Sequence, residues 1–396
     1  MVFFLYICNV MTENRHYKIV YCTPALYMAG GVERVLTLKA NYFAEQFGYE
    51  ITIILTEGKN RSFFYPLSDK VKVINLDINF EDLWMCSFIK KVFIYLKKQR
   101  LFKKMLTSEL MRIRPDITIS LLRREINFIT SIQDGSKKIG ELHVNRANYR
   151  NFEKKEANIL KNVFAKFWMN SLVRQLNKLD RFVTLTKEDK HQWPELNNIE
   201  VIPDPLSFHS EVKSSLINKR IIAVGRYVYQ KGFDLLLKAW SQVEKNCTEW
   251  ELVIYGQGDR VPYEMMIDKL GIDRNRCHLY GTTDDIKREL INSSIFVFSS
   301  RFEGFGMVIV EAMECGLPVV SFTCPCGPKD IVSNGIDGIL VPNGDVSQLS
   351  DTILWLIKNP HEVGKMSLEA IKKSACYSMD VISSQWKDLF ESVMSD

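Results

Sequence analysis

The chain is predicted to be an α/β protein of two doubly wound domains facing each other across a cleft. Three observations predict this: short β-branched strands alternate with helices, the rhythm breaks at Pro203-Asp204-Pro205, and it then restarts in the same style. With 396 residues, 46% of them hydrophobic and 25% charged, the chain is long enough to build two separate cores.

The first strand is KIVYCT from Lys18, followed by a turn at Gly30-Gly31 and a helical run from Val32 to about Phe47. EITIILTEG and VKVINLD follow as strands, and a helical stretch covers about 83 to 113. PDITISLL, KKIGELHV, RFVTLT and IEVIP complete the strands of the first half. The polar segment from Ser207 to Lys219 reads as a linker. Beyond it come strand RIIAVGR, helix KGFDLLLKAWSQVEK, strand ELVIYG, a helix near 262 to 270, strand CHLYG and helix DDIKRELINSS. IFVFSS, LPVVSF and GILVP are further strands, with the helix MVIVEAMECG between the first two. The expected division is 1–204 as the first domain, 205–378 as the second, and 379–396 as a terminal helix packing back on the first. Ligands of such sheets bind at the carboxyl ends of the strands, so the cleft is the expected site.

The formal net charge of +5 is modest and argues only weakly for an anionic partner. Nine cysteines without a C-x-x-C pair make a zinc site or disulfide framework unlikely and read as ordinary reduced thiols. The apolar run from Val2 to Cys8 has no basic residue before it and no cleavage site after it, so it does not read as a signal peptide; Met11 is an alternative start to Met1. No run reaches the ~18 apolar residues of a transmembrane helix.

The stretch RFEGFGMVIVE, 301–311, carries the most chemistry. IFVFSS is the strand, Arg301 to Phe305 the turn and Met307 onward the helix, so the amides near Gly306 to Val308 suit a phosphate. Glu303 lies before the helix and Glu311 inside it. Carboxylates accept hydroxyl hydrogen bonds well, and this spacing fits a sugar on one side of a diphosphate and a ribose on the other. A helix-end charge and a solvated acid would give the same spacing. RIIAVGR ends in Gly225-Arg226, and Lys231-Gly232 follows at the next helix start, placing two cations beside the same cleft. They can neutralise a diphosphate leaving group without a metal. Gly30-Gly31 opens a helix in the first half, but no G-x-G-x-x-G exists and dinucleotide chemistry is disfavoured. Gly256-Gln-Gly258 reads as a tight turn.

GGVER near the start, R-x4-K-G at 226–232 and the run from Glu303 to Val320 resemble the retaining glycosyltransferases of family 4. CGPKDIV at 326–332 and DGILVPNGD at 337–345 are similar to the same family's closing loops. The resemblance implies the GT-B fold, with two Rossmann-like domains. It also implies a hexosyl or N-acetylhexosaminyl transfer from a nucleotide sugar, with a UDP-sugar the family bias, and no bound metal or other cofactor. On it, Arg226 and Lys231 hold the donor diphosphate, Glu303 contacts the transferred sugar and Glu311 holds the ribose. Phe305, Gly306, Met307 and Val308 line the sugar and phosphates, and Gly30 and Gly31 approach the donor from the first domain. His143, in GELHVN, matches a histidine that relatives carry near the reacting centre, and Asp204 stands where they commonly have asparagine.

Between Ser87 and Lys104 the run SFIKKVFIYLKKQRLFKK holds seven Lys/Arg and no acid, with Phe88, Ile89, Val92, Phe93 and Leu96 at helical spacing. A basic amphipathic helix of this kind suits an anionic bilayer, although a core-facing helix with a solvated basic face has the same pattern. KKEANILKNVFAKFW repeats the theme more weakly. No nucleic-acid motif accompanies these lysines. The resulting expectation is a cytoplasmic enzyme, peripheral on the inner face of a membrane, that extends a glycan or lipid-linked glycan acceptor in capsule, exopolysaccharide or lipopolysaccharide synthesis. A nucleotide-sugar epimerase of the same fold and a non-catalytic nucleotide-sugar-binding module are the alternatives.

Overall fold

The computed structural model describes residues 16–85, 88–151 and 159–395. The Val2–Cys8 run and the choice between Met1 and Met11 lie outside them. In the first domain the strands are β1 (Lys18–Thr23), β2 (Glu50–Leu55), β3 (Lys72–Asn75), β4 (Ile117–Ser120), β5 (Lys137–Leu142), β6 (Arg181–Thr184) and β7 (Ile199–Val201). Helices α1 (Gly31–Glu45), α2 (Phe88–Ile113), α3 (Ile159–Leu176) and α4 (Lys187–His191) connect them. The strands pair in parallel in the order β3-β2-β1-β4-β5-β6-β7.

The second domain begins with β8 (Arg220–Val224), α5 (Phe233–Asn246), β9 (Glu251–Tyr255), α6 (Val261–Leu270), β10 (Cys277–Tyr280) and α7 (Ile286–Ile291). It continues through β11 (Ile295–Phe298), α8 (Met307–Glu314), β12 (Val319–Phe322), α9 (Pro328–Ile331), β13 (Gly338–Val341), α10 (Val346–Lys358) and α11 (Pro360–Ala375). Its parallel strands run β10-β9-β8-β11-β12-β13. In both sheets the order reverses beside the first strand of the domain, between β1 and β4 and between β8 and β11. At those points the loops leave in opposite directions and open a crevice.

Both sheets are covered on two sides, which is why their strands read as continuous apolar runs. Alternation along β1 sends Val20 and Cys22 into the layer that contains Phe102, Leu106, Leu110, Met169 and Leu176 of α2 and α3. Ile19 and Tyr21 face the other way, toward Leu36, Ala40 and Phe43 of α1. The chain's final helix, α12 (Met379–Ser395), joins this second layer through Ile382, Trp386, Leu389, Phe390 and Val393. The terminal helix therefore packs on the first domain although it follows the second in sequence.

One expectation is corrected and another is refined. The helix near 83–113 begins at Phe88 after a separate 3-10 turn, Phe80–Met85. Glu57 accepts the amides of Phe80 at 3.0 Å and Glu81 at 3.3 Å and fixes the start of that turn. The segment from Ser207 to Lys219 connects the two domains as expected, and it is anchored along its length. Ser210 is buried with its amide 2.9 Å from Glu314 Oε1, and Lys213 pairs with the same oxygen at 2.8 Å. These contacts tie the segment to α8.

Under α12 lies a fully buried ion pair between Lys39 of α1 and Glu141 of β5. The Lys39 ammonium also sits 4.1 Å from the centre of the Trp386 ring, whose face attracts cations. Trp386→Ala removes both the packing and the ring from a buried charge. It is expected to destabilise the protein by about 3–5 kcal/mol, as large-to-small core substitutions of aromatic residues do. Equilibrium denaturant unfolding measures this, and a loss under about 1 kcal/mol would count against the packing described.

Candidate active site

The site is assembled from the loops that leave the two switch points. β1 leads to Gly30-Gly31 and the start of α1; β8 leads to Gly225, Arg226 and Lys231; β11 leads to Glu303 and the start of α8. A Cβ built at Gly31 would lie 3.8 Å from Met307 Sδ, so the first turns of α1 and α8 approach each other. The first amides of a helix have no partner within it and carry its positive dipole end, which favours an anion. Gly306 caps α8 with φ +99°, a left-handed conformation in which side chains are strained.

Glu303 is the centre of the polar network. Lys231 Nζ lies 2.7 Å from its Oε1, and Gln230 Nε2 donates to its Oε2 at 3.2 Å. Across the cleft, Asn145 Nδ2 of the first domain donates to the Glu303 carbonyl at 2.6 Å. The neighbouring Gly304 has no room for a side chain, because a Cβ there would be 2.3 Å from the His143 carbonyl oxygen. Asn145 and Gly304 thus hold the turn before α8 directly against the end of β5.

Glu311 is also buried, and it is not solitary. Arg34 of α1 reaches its Oε1 at 2.9 Å, and the Ser207 hydroxyl donates to the same oxygen. Arg226 is exposed and has no ion partner among the described residues, whereas Lys231 is already engaged by Glu303. Phe305 is buried, and Met307 and Val308 are half-buried on the first turn of α8. Arg301, at the head of the motif, faces Asp234 at 2.7 Å and the Tyr229 ring rather than the cleft.

His143 follows β5 with its side chain almost wholly buried between two carboxylates. Nε2 is 3.1 Å from Glu141 and Nδ1 is 3.3 Å from Asp204. Burial pulls the imidazole pKa down, but Asp204 and then Glu141 outweigh it and raise it to about 9. Burial likewise favours the neutral form of Glu141, yet Lys39 and His143 hold its carboxyl well below the usual range. The histidine is therefore a fixed cation at neutral pH, with each ring nitrogen facing an acid. Glu141, His143 and Asp204 are also close enough together to share a metal ion.

Motif reading located the acids and cations of the second domain, and the fold draws Lys231, Glu303, Phe305, Gly306, Met307, Val308 and Glu311 around one helix start. It missed Asn145, Gln230, Arg34 and the role of Asp204. Asn145 stands two positions after His143 and Arg34 closes the GGVER motif, so both lay within quoted stretches. Their partners lie on another domain, and no spacing rule predicts such a pairing. The Asp204 carboxylate supplies a charge to His143 that an amide at this position would lack.

The raised pKa of His143 has a consequence for stability. A group whose folded pKa lies above its unfolded value, ~6.5 for histidine, stabilises the fold fully below that pH and loses the contribution as pH rises through the folded value. Here the loss runs up to about pH 9 and is on the order of 3 kcal/mol. The melting temperature of the wild type should therefore fall more steeply from about pH 7 upward than that of His143→Gln. Parallel profiles would contradict the charged assignment.

Residues 208–374 match the family described as glycosyl transferases group 1. An uncharacterized glycosyltransferase of Haemophilus influenzae is 28% identical over 371 residues, which cover 91% of this chain and 96% of the relative. The poly(ribitol-phosphate) alpha-N-acetylglucosaminyltransferase of Staphylococcus aureus is 28% identical over 265 residues, covering 65% of this chain and 51% of that protein. The chain thus spans nearly all of the first relative and about half of the second. Among solved structures, a mutant of S. aureus TarM in complex with fondaparinux, alpha-GlcNAc-glycerol and UDP superposes with a TM-score of 0.73 at 16% identity, covering 94% of this chain and 99% of that one. At that identity the likeness establishes the fold. Residues 208–374 therefore resemble the glycosyl transferases group 1 family, and the chain as a whole has the two-domain GT-B fold.

Proposed function

We propose that the protein transfers a hexosyl or N-acetylhexosaminyl unit from a UDP-sugar to a glycan or lipid-linked glycan, with retention of anomeric configuration and without a bound metal. The observation that carries this is the helix start of α8, with Glu303 before it, Glu311 within it and Lys231 beside it. The relative from S. aureus acts on a poly(ribitol-phosphate) and TarM was solved with UDP, which supports a uridine donor and a surface-polymer acceptor.

In this reading the donor diphosphate lies on the amides of Gly306 to Val308, with Arg226 and Lys231 supplying positive charge. Gly31 lets the backbone of α1 approach the donor from the other side, whereas at Gly30 the space a side chain would take is filled by the Glu33 carboxylate. The Glu303 carboxylate accepts hydroxyls of the transferred sugar, and Glu311 accepts those of the ribose. His143, fixed by its two carboxylates, places its carbonyl and Gly304 at the sugar end. The bond from the anomeric carbon to the diphosphate oxygen breaks while the acceptor oxygen bonds to the same face. The acceptor proton passes to the departing diphosphate. No protein nucleophile is required, so catalysis is charge stabilisation and positioning.

The first domain supplies a surface for a lipid-linked acceptor. The sequence pattern left open whether the apolar residues of α2 face the core, and the structure divides them. Ile94, Tyr95 and Phe102 pack inward. Val92, Phe93, Leu96 and Leu101 are exposed among Lys90, Lys97, Arg100, Lys103 and Lys104, with Phe93 72% exposed. Phe167 of α3 is 71% exposed. The side chains of Phe88 and Ile89 lie outside the described residues, as does Ser87. Exposed apolar side chains interleaved with cations match the headgroup boundary of an anionic bilayer, where each cation contributes roughly 1 kcal/mol near the surface. No helix among the described residues is long and apolar enough to cross a membrane. The proposal puts the enzyme on the inner face of a membrane as a peripheral protein, a reading supported by the exposed basic and apolar side of α2.

Two measurements test these proposals. Lys231→Ala and Glu303→Ala should each lower turnover with a UDP-sugar by about 100-fold or more, the scale of losing a charge-stabilising group. Near-normal turnover in both would refute the site. Sedimentation with phosphatidylserine-containing vesicles at low salt should carry the protein down, and Phe93→Ser should weaken this; equal recovery with purely zwitterionic vesicles would remove the membrane assignment.

A further inference from the structure

We infer that Arg34 is a positioning residue for the donor: it fixes the Glu311 carboxylate from the opposite domain and thereby couples nucleotide binding to contact between the two domains. The inference rests on the reading of Glu311 as the acid that holds the ribose.

Three separate segments meet at one carboxylate oxygen. Glu311 belongs to α8 of the second domain, Arg34 to the first turn of α1, and Ser207 to the connection between the domains. The Glu311 side chain is 6% exposed, so an isolated charge there would be costly, and the Arg34 guanidinium at 2.9 Å supplies the counter-charge. That counter-charge comes from the other domain, so it is present only while α1 and α8 are apposed. Both Arg34 and Ser207 engage Oε1, and neither uses Oε2. The carboxylate is thus held in one orientation with its second oxygen available to accept hydroxyls of a ribose.

The arrangement explains why a donor bound almost entirely by the second domain would sense the first. Binding at Oε2 requires the carboxylate in one orientation, and that orientation is the one Arg34 holds through Oε1. Asn145 and Gly304 bring the sugar end of the same turn against β5, so domain contact is registered at both ends of the donor.

Titration calorimetry with UDP tests the inference in the wild type, Arg34→Ala, Arg34→Lys, Glu311→Ala and the double variant. Arg34→Ala should weaken UDP about 10-fold, the scale of one hydrogen bond to a charged group, and Arg34→Lys should recover most of the affinity. In the Glu311→Ala background, Arg34→Ala should change affinity by less than about 2-fold, because the two residues act through one another. Thermal melts of all variants separate this from a general loss of folding, which Arg34→Lys would not rescue in affinity alone. Weakening by Glu311→Ala with none by Arg34→Ala would overturn the role of Arg34 alone. Additive losses would do the same, since Arg34 would then be acting on the nucleotide independently. Unchanged UDP binding in Glu311→Ala, or no binding by the wild type, would instead remove the ribose reading on which the inference stands.

Discussion

The chemistry of this protein depends on a topological constraint: each parallel sheet reverses its strand order once, and the two reversals face each other. A loop leaving a switch point cannot be covered by the helices on either face of its own sheet. The second domain covers the first domain's crevice, and the first covers the second's. The start of α1 and the start of α8 therefore become opposing walls, each offering unpaired amides. The first turn of α8 holds no acid, whereas that of α1 holds the buried Glu33, so positive potential toward an anion comes chiefly from α8.

Charged side chains then sharpen what the backbone begins. Three carboxylates, Glu303, Glu311 and Glu141, are buried near the cleft, and each is met by a cation: Lys231, Arg34 and Lys39 with His143. Breaking such pairs leaves a desolvated charge, which is why the network tolerates little rearrangement. Two of the acids are held by groups of both domains, through Asn145 on the Glu303 carbonyl and Arg34 on the Glu311 carboxylate. Elsewhere between the domains, Asp330 of the second domain accepts the amides of Lys187 and Glu188 at the start of α4. Glu188 in turn accepts the Cys326 amide at 2.9 Å. Apolar packing continues across the same seam, where Leu185 joins the layer of Phe305 and Ile331.

Much of the fold was legible because both domains obey simple local rules. Strands buried on two faces appear as runs such as KIVYCT and IFVFSS, and glycine marks the helix starts between them. The acids and cations of the second domain were legible for the same reason: a single loop and helix carry Glu303, the glycines and Glu311. What could not be read were contacts made at long range. The pairing of Arg34 with Glu311 spans 277 positions, and that of Asn145 with Glu303 spans 158. The exposed side of α2 was ambiguous because its apolar residues are distributed around the helix, and only the sheet beneath decides that Phe102 faces in and Phe93 out.

A crystal structure with UDP bound would test the central claim most directly. The account predicts the diphosphate on the amides of Gly306 to Val308 with Arg226 and Lys231 turned toward it, and the ribose on Glu311 while Arg34 stays in place. A diphosphate bound away from the α8 helix start, or a ribose without contact to Glu311, would contradict it.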